Sequence, residues 1–298
     1  MMKRFVYAAL FLLISNLFAN IEIEISDSKI ANAQTLLVEL KADEEDPKIE
    51  KIYAAFEGKR YPFYKNRVEK GRSFYALVPT DYHTEAKTTN LTVVFIIDGD
   101  KYYSTFKIDI YEGVYKSEKL KVASSRAKIS KKNLLRIKRE QKEAMEIYNK
   151  KSARFYPSSS FIYPIDSKIT SAFGNKRVFN GILKSYHSGT DFRAKIGTPV
   201  KAIADGRITL VKNRFFAGNS IIIDHGQGIY SGYYHLSKFK VKRGELVKRG
   251  EIIALAGDTG RVTGAHLHLS IRVNSVQVDP LQFIDTINLL FDSKSLDD

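Results

Sequence analysis

Cysteine is absent from all 298 residues of this chain, and that absence narrows both its fold and its chemistry. No disulfide can staple a small domain, so each domain must be held by its own apolar core. No thiolate can act as nucleophile or metal ligand, so any metal site must be built from His, Asp or Glu. Aromatic residues make up 12% of the chain, with 18 Phe and 17 Tyr and no Trp, enough to build such cores. A chain of this length has room for two domains.

The N-terminus carries an address. Lys3 and Arg4 form a short basic start, Phe5 to Ile14 is apolar but short for a bilayer, and Ala19 offers a small residue for cleavage. Residues 1–19 therefore read as a secretory signal peptide, and the alternative is an uncleaved membrane anchor. The net charge of +15 is uneven: residues 20–115 carry −4, 116–154 carry +10 and 155–285 carry +9. A basic surface attracts polyanions. With an export signal, an anionic wall polymer or membrane face fits better than nucleic acid, which is not expected as a partner.

The expected fold is mainly β. Ile21, Ile23 and Ile25 alternate with Glu22, Glu24 and Ser26, the mark of a strand with one buried face. Leu91–Ile97 and Tyr102–Ile110 read as strands joined by a turn at Asp98-Gly99-Asp100. Further strands are expected at Thr35–Leu40, Lys51–Phe56 and Phe74–Val78. Residues 20–115 are thus expected to form a β-sandwich of immunoglobulin-like type. Residues 116–159 read as a basic helical linker, with a helix from about Lys131 to Lys150. Leu134, Ile137, Ala144, Met145 and Tyr148 supply its apolar stripe, and Arg136/Glu140 is one of its i,i+4 pairs. The helix either packs this stripe on a neighbouring domain or contacts wall or membrane. Residues 160–285 read as a second β domain dense in Gly, Val, Ile and Thr, followed by a tail at 286–298. Glycine-bounded strands also occur in biotinyl and lipoyl carrier barrels, but no modifiable Lys in the required hairpin context is visible.

Four of the six histidines sit in short motifs of this second domain. His266 and His268 form His-x-His, which on a strand points both imidazoles to one face. His187 and Asp191 form His-x-x-x-Asp, two potential ligands that can converge. His235 lies in an apolar strand-like run. Zinc accepts imidazole nitrogen and carboxylate oxygen, and a catalytic site uses three protein ligands plus a water. Two His and one carboxylate would leave two His for proton transfer. His225, beside Gly226, reads as a structural turn residue, and His83 as a surface residue.

In these motifs the second domain resembles the lysostaphin/LytM-type zinc metallopeptidases, which hydrolyse peptidoglycan peptides. The resemblance rests on His187 to Asp191, on Tyr233-Tyr234-His235-Leu236 and on Gly264-Ala265-His266-Leu267-His268, in that order. The stretches 197–206, 222–226, 247–250 and 257–260 are also similar to the family. The resemblance implies an antiparallel β peptidase domain, with His187, Asp191 and His268 as zinc ligands and His235 and His266 as catalytic histidines. Position 265 is Ala where many relatives have Pro. Phe173-Gly174, Arg177, Asn180-Gly181 and Ser185 resemble a pattern of Gram-negative members, in which Arg177 and Asn180 would bind substrate, Arg177 through its bidentate fork.

The expected function is a zinc-dependent D,D-endopeptidase in the periplasm of a Gram-negative bacterium. Its substrate would be the cross-linked stem peptides of peptidoglycan, at the D-Ala–meso-diaminopimelate link, with D,D-carboxypeptidase action as a second activity. The alternative is a non-catalytic wall-binding protein that activates other hydrolases.

Overall fold

A computed structural model of the chain describes residues 21–67, 71–120, 130–179 and 182–292. The expected signal peptide and Asn180 lie outside the described residues. The chain divides into two compact units, Met1–Gly113 with Asp285–Asp298, and Val114–Ile284.

The first unit holds β1 (Glu22–Ile25), β2 (Lys29–Ala31), β3 (Thr35–Ala42), β4 (Ile49–Phe56), β5 (Lys59–Pro62), β6 (Tyr64–Lys65), β7 (Arg72–Pro79), β8 (Lys87–Ile97) and β9 (Asp100–Tyr111). They form a four-stranded sheet, order β1-β3-β7-β6, and a five-stranded sheet, order β2-β9-β8-β4-β5. Each strand predicted from alternation is present. In β9 the period of two is clean: Ser104, Phe106, Ile108 and Ile110 are buried between exposed neighbours. Leu36, Val38 and Val78 of one sheet and Phe56, Leu91, Val93 and Phe95 of the other belong to one apolar core. The β8–β9 turn forms at Asp98 (φ +52°) and Gly99 (φ +84°), the left-handed pair a two-residue hairpin requires.

The second unit opens with β10 (Ser117–Leu120) and helix α1 (Lys131–Tyr148). Ser130 caps α1, its hydroxyl accepting from Asn133 N at 3.2 Å. The buried face of α1 differs from the predicted stripe. It runs Ile137, Glu140, Ala144, Tyr148, while Leu134 and Met145 are 44% and 37% exposed. Glu140 enters because the face it occupies offers partners: Arg136 Nε donates to it at 2.7 Å and Phe215 N at 2.9 Å. Ala144 and Tyr148 pack with Leu210, Ile222 and Tyr230 of the following domain.

Then come β11 (Ile169–Ser171), β12 (Lys176–Phe179), β13 (Ile182–Tyr186), β14 (Thr190–Arg193), β15 (Pro199–Lys201), β16 (Gly206–Arg214), β17 (Gly218–Gly226), β18 (Ile229–Phe239), β19 (Leu246–Val247), β20 (Ile252–Ala256), β21 (His266–Val273) and β22 (Val276–Val278). The main sheet runs β11-β14-β21-β18-β17-β16-β19, with β20 also on β18, β15 on β20 and β22 on β21. Strands β17 and β21 are largely buried, and β18 is buried over its first five residues, Ile229 to Tyr233. Helix α2 (Pro280–Asp292) ends the described chain and sets Phe283 edge-on against Phe161, centroids 5.7 Å apart. It extends through residues 286–292, read from sequence as tail. Ile287 and Leu290 are buried at helical spacing. Neither described helix is long and apolar enough to cross a membrane.

Candidate metal centre

The site is built on one rung of the main sheet. Asp191 on β14 pairs directly with His268 on β21, and His268 pairs on its other side with Tyr234 of β18. Side chains at paired positions share a face. His268 Nδ1 lies 2.8 Å from Asp191 Oδ1. His266, two residues back along β21, stays on that face with Nε2 3.7 Å from the same oxygen. The period-2 reading of His-x-His therefore holds.

His187 comes from the loop before β14. Its backbone is held by two hydrogen bonds, His187 N to Asn175 O at 2.9 Å and Gly174 N to His187 O at 2.8 Å. Its fully buried ring turns Nε2 to within 3.0 Å of both Asp191 Oδ1 and His268 Nδ1. Gly189 makes this closure possible. A Cβ there would stand 2.3 Å from the Leu269 carbonyl oxygen and 2.4 Å from His268 Nε2, so any side chain would collide with the third member of the site.

His235 reaches the cluster through an irregularity. The β17–β18 register shifts between Asn219↔Leu236 and Ile221↔Tyr233, and His235 itself sits at φ +62°. This bulge lets consecutive residues serve one site. The Tyr234 ring stacks on His268 with centroids 5.5 Å apart, and His235 lies 4.8 Å from His266 and 6.0 Å from His268.

Backbone carbonyls set the tautomers. Nδ1 of His187 donates to Ala172 O at 2.8 Å, Nδ1 of His235 to Thr259 O at 2.9 Å, and Nδ1 of His266 to Gly264 O at 2.8 Å. Each ring, when neutral, keeps its lone pair on Nε2. At His187 this creates a requirement: a bare Nε2 faces a carboxylate oxygen at 3.0 Å, and two acceptors at that distance need a cation between them. The donor atoms of His187, Asp191 and His268 all lie within 4.8 Å of one another. Their 2.8–3.0 Å separations approach the ~3.3 Å expected between ligands on a tetrahedral zinc. The donor set fits zinc, with a carboxylate and two imidazoles as its protein ligands.

The electrostatics agree. Burial acts to raise the Asp191 pKa, yet the adjoining His187 and His268 hold it well below the usual carboxylate range, which keeps a carboxylate in the cluster near neutral pH. Burial, helped by nearby His268 and His266, pushes His235 down to about 3 against the Thr259 carbonyl bond, so its Nε2 is unprotonated near neutral pH.

Of the other predicted residues, Arg177 lies on β12, and its side chain is outside the described set. His83 is exposed. His225 is not in a turn but at the end of β17, fully buried. Its Nδ1 donates to Asp205 O at 2.8 Å and Nε2 accepts from the Ser231 hydroxyl at 2.7 Å, a structural role as expected. Sequence reasoning missed Gly189 and Tyr234. The Gly inside His-x-x-x-Asp and the second aromatic before His235 were their only signals.

Comparison with known proteins agrees with this geometry. Residues 185–280 match peptidase family M23. The chain is 44% identical over 126 residues to the peptidoglycan DD-endopeptidase ShyB of Vibrio cholerae serotype O1, covering 40% of this chain and 29% of the relative. It is 41% identical over 117 residues to the DD-carboxypeptidase/endopeptidase Mpg of Neisseria meningitidis serogroup B, covering 39% and 26%. The matches thus span less than a third of either relative's length. A crystal structure from Pseudomonas aeruginosa, described as a peptidase M23, superposes with a TM-score of 0.63 at 28% identity, covering 86% of this chain and 95% of that one. The second unit of this chain carries a metallopeptidase domain of peptidase family M23.

Proposed function

We propose that this protein is a zinc-dependent peptidoglycan D,D-endopeptidase that opens the D-Ala–meso-diaminopimelate cross-link, with D,D-carboxypeptidase action on terminal D-Ala–D-Ala as a second activity. The observation that carries the reading is the convergence of His187, Asp191 and His268, with two further histidines, His235 and His266, beside them. The names of the relatives, endopeptidase for ShyB and carboxypeptidase/endopeptidase for Mpg, support the substrate class and the second activity.

His187 Nε2, Asp191 Oδ1 and His268 Nδ1 would hold the metal. When bound, zinc supplies a Lewis acid for the scissile carbonyl and lowers the pKa of an attacking water. His235 and His266 lie beside these three residues, and their Nδ1 bonds to backbone carbonyls leave Nε2 as the atom that would exchange a proton. Either can take the proton released as water attacks, and the resulting imidazolium then delivers it to the leaving amine. His235, unprotonated near neutral pH, is suited to the first step. Burial of the cluster keeps bulk water from screening these charges. Arg177 and Asn180 are assigned to the free carboxylates near the cross-link, and the net charge of +9 over residues 155–285 favours that acidic neighbourhood.

Residues 20–115, read as an immunoglobulin-like sandwich, and the basic segment 116–159 would set access to the wall or the membrane surface. Residues 1–19 would direct export to the periplasm, and N-terminal sequencing from the native cell checks that point. The test of function incubates the chain and zinc with diaminopimelate-type sacculi and resolves the muropeptides by mass. Cross-linked dimers should fall and monomers rise. Release of intact stem peptides from glycan would make the protein an amidase instead.

A further inference from the structure

Helix α1 lies outside residues 185–280, the part that matches the peptidase family, yet it touches the metal centre through one intermediary. Tyr148, its last residue, is 5% exposed. Its ring meets Tyr230 edge-on with centroids 5.5 Å apart and lies under the Arg272 guanidinium at 4.9 Å. Its hydroxyl shares a 3.0 Å hydrogen bond with the hydroxyl of Tyr234. The Tyr234 ring in turn lies face to face with His268, tilted by 24°.

The path is built rather than incidental. Tyr234 and His268 are register partners across β18 and β21, so the stacking is fixed by the ladder. The phenol can extend toward α1 only because residue 232 is Gly: a Cβ there would stand 2.3 Å from the Tyr234 hydroxyl. Ser270 lies 3.3 Å from the same hydroxyl, so the ring is pinned at its far end from two sides. A second contact of α1 leads the same way. Glu140 accepts from Phe215 N at 2.9 Å, at the β16–β17 turn whose Ala217 O accepts from His235 N at 2.9 Å. One helix thus reaches the residues next to a metal ligand and next to a catalytic histidine.

We propose that Tyr234 and Tyr148 are positioning residues that together fix the ring of His268, making helix α1 a working part of the metal centre. The imidazole of a ligand must present its lone pair within a narrow cone, and partners behind the ligand supply that orientation. His187 has a backbone carbonyl for this purpose. At His268 the aromatic face of Tyr234, held at its hydroxyl by Tyr148, adds a constraint on ring rotation. The inference rests on the reading of His187, Asp191 and His268 as zinc ligands.

The test is zinc affinity of the full chain, measured by competition with a chromogenic chelator. Tyr234→Leu, which removes the stacked face, should weaken zinc binding by about tenfold or more, the scale of lost partners behind a ligand. Tyr148→Phe and Tyr234→Phe should each weaken it by a smaller factor, and the double Phe variant no further than Tyr234→Phe alone, since Tyr234→Phe already removes the bond that Tyr148→Phe removes. Ser275→Ala is the control. It removes a 3.0 Å bond to the Tyr148 carbonyl without touching Tyr234, and should leave zinc affinity unchanged. Melting of the metal-free proteins, followed in parallel, separates positioning from folding. Wild-type affinity in Tyr234→Leu, or loss of affinity only in proportion to lost metal-free stability, overturns the proposal. Failure of the wild-type chain to bind zinc at all would instead overturn the metal reading on which it rests.

Discussion

Asp191 Oδ1 and His268 Nδ1 stand 2.8 Å apart on directly paired positions of β14 and β21, so the backbone ladder sets the spacing of the two proposed ligands. Only His187 must be brought in by a loop. Replacing any of the three by Ala leaves two protein ligands where a catalytic zinc uses three. Each variant is expected to lose bound zinc and to fall to background turnover, checked by metal analysis after dialysis and by muropeptide release. Retention of a full equivalent of zinc in all three would remove the assignment.

His235 and His266 approach the site without completing the triangle. His235→Ala and His266→Ala should keep most of the zinc while turnover drops by about a hundredfold or more, the scale of a lost acid–base group. The same two assays separate the roles. If His266→Ala loses zinc and His268→Ala keeps it, the ligand within His-x-His is the other one.

Gly189 is required by space, not by backbone conformation. In Gly189→Ala the new methyl would meet both the Leu269 carbonyl and the His268 ring. Overpacking of this kind costs about 1–3 kcal/mol. Zinc affinity should fall along with urea stability. A variant with unchanged values for both would show that the β14–β21 pair can spread at no cost.

His225 gives the fold a pH dependence separate from catalysis. Burial pushes its pKa down to about 4, against its bond to the Asp205 carbonyl, from an ordinary value of 6.5. Between those values the unfolded chain binds the extra proton, so stability is full above about 6.5 and declines as pH falls toward 4. The total is about 3 kcal/mol. His225→Gln should be less stable at pH 7 and should show a flatter decline between pH 6.5 and 4 in denaturant titrations. Parallel declines in wild type and variant would assign the effect elsewhere.

The strands of the first unit were legible because one face is wet: the alternation in β9 from Ser104 to Ile110 survives in the sequence. The site motifs were legible because strand periodicity forces His266 and His268 to one side. What stayed hidden has physical reasons. Tyr234 and His235 are neighbours that an ideal strand would point to opposite faces, and the bulge with His235 at φ +62° leaves no compositional mark. The burial of Glu140 left no local mark, because its partners Phe215 and Arg214 lie 75 and 74 residues away. Leu134 and Met145 misled the stripe for the same reason, since helical spacing alone does not tell which of two overlapping faces meets a partner. Side chains do not show the carbonyls of Ala172, Thr259 and Gly264 at all.

Those three carbonyls have an evolutionary consequence. The proton inventory of His187, His235 and His266 is written in main-chain atoms, which survive substitution as long as the local path of the chain survives. A lineage could therefore exchange the side chains around the site without resetting which nitrogen of each imidazole is free. In a site wired through carboxylates or hydroxyls each such exchange would risk a tautomer.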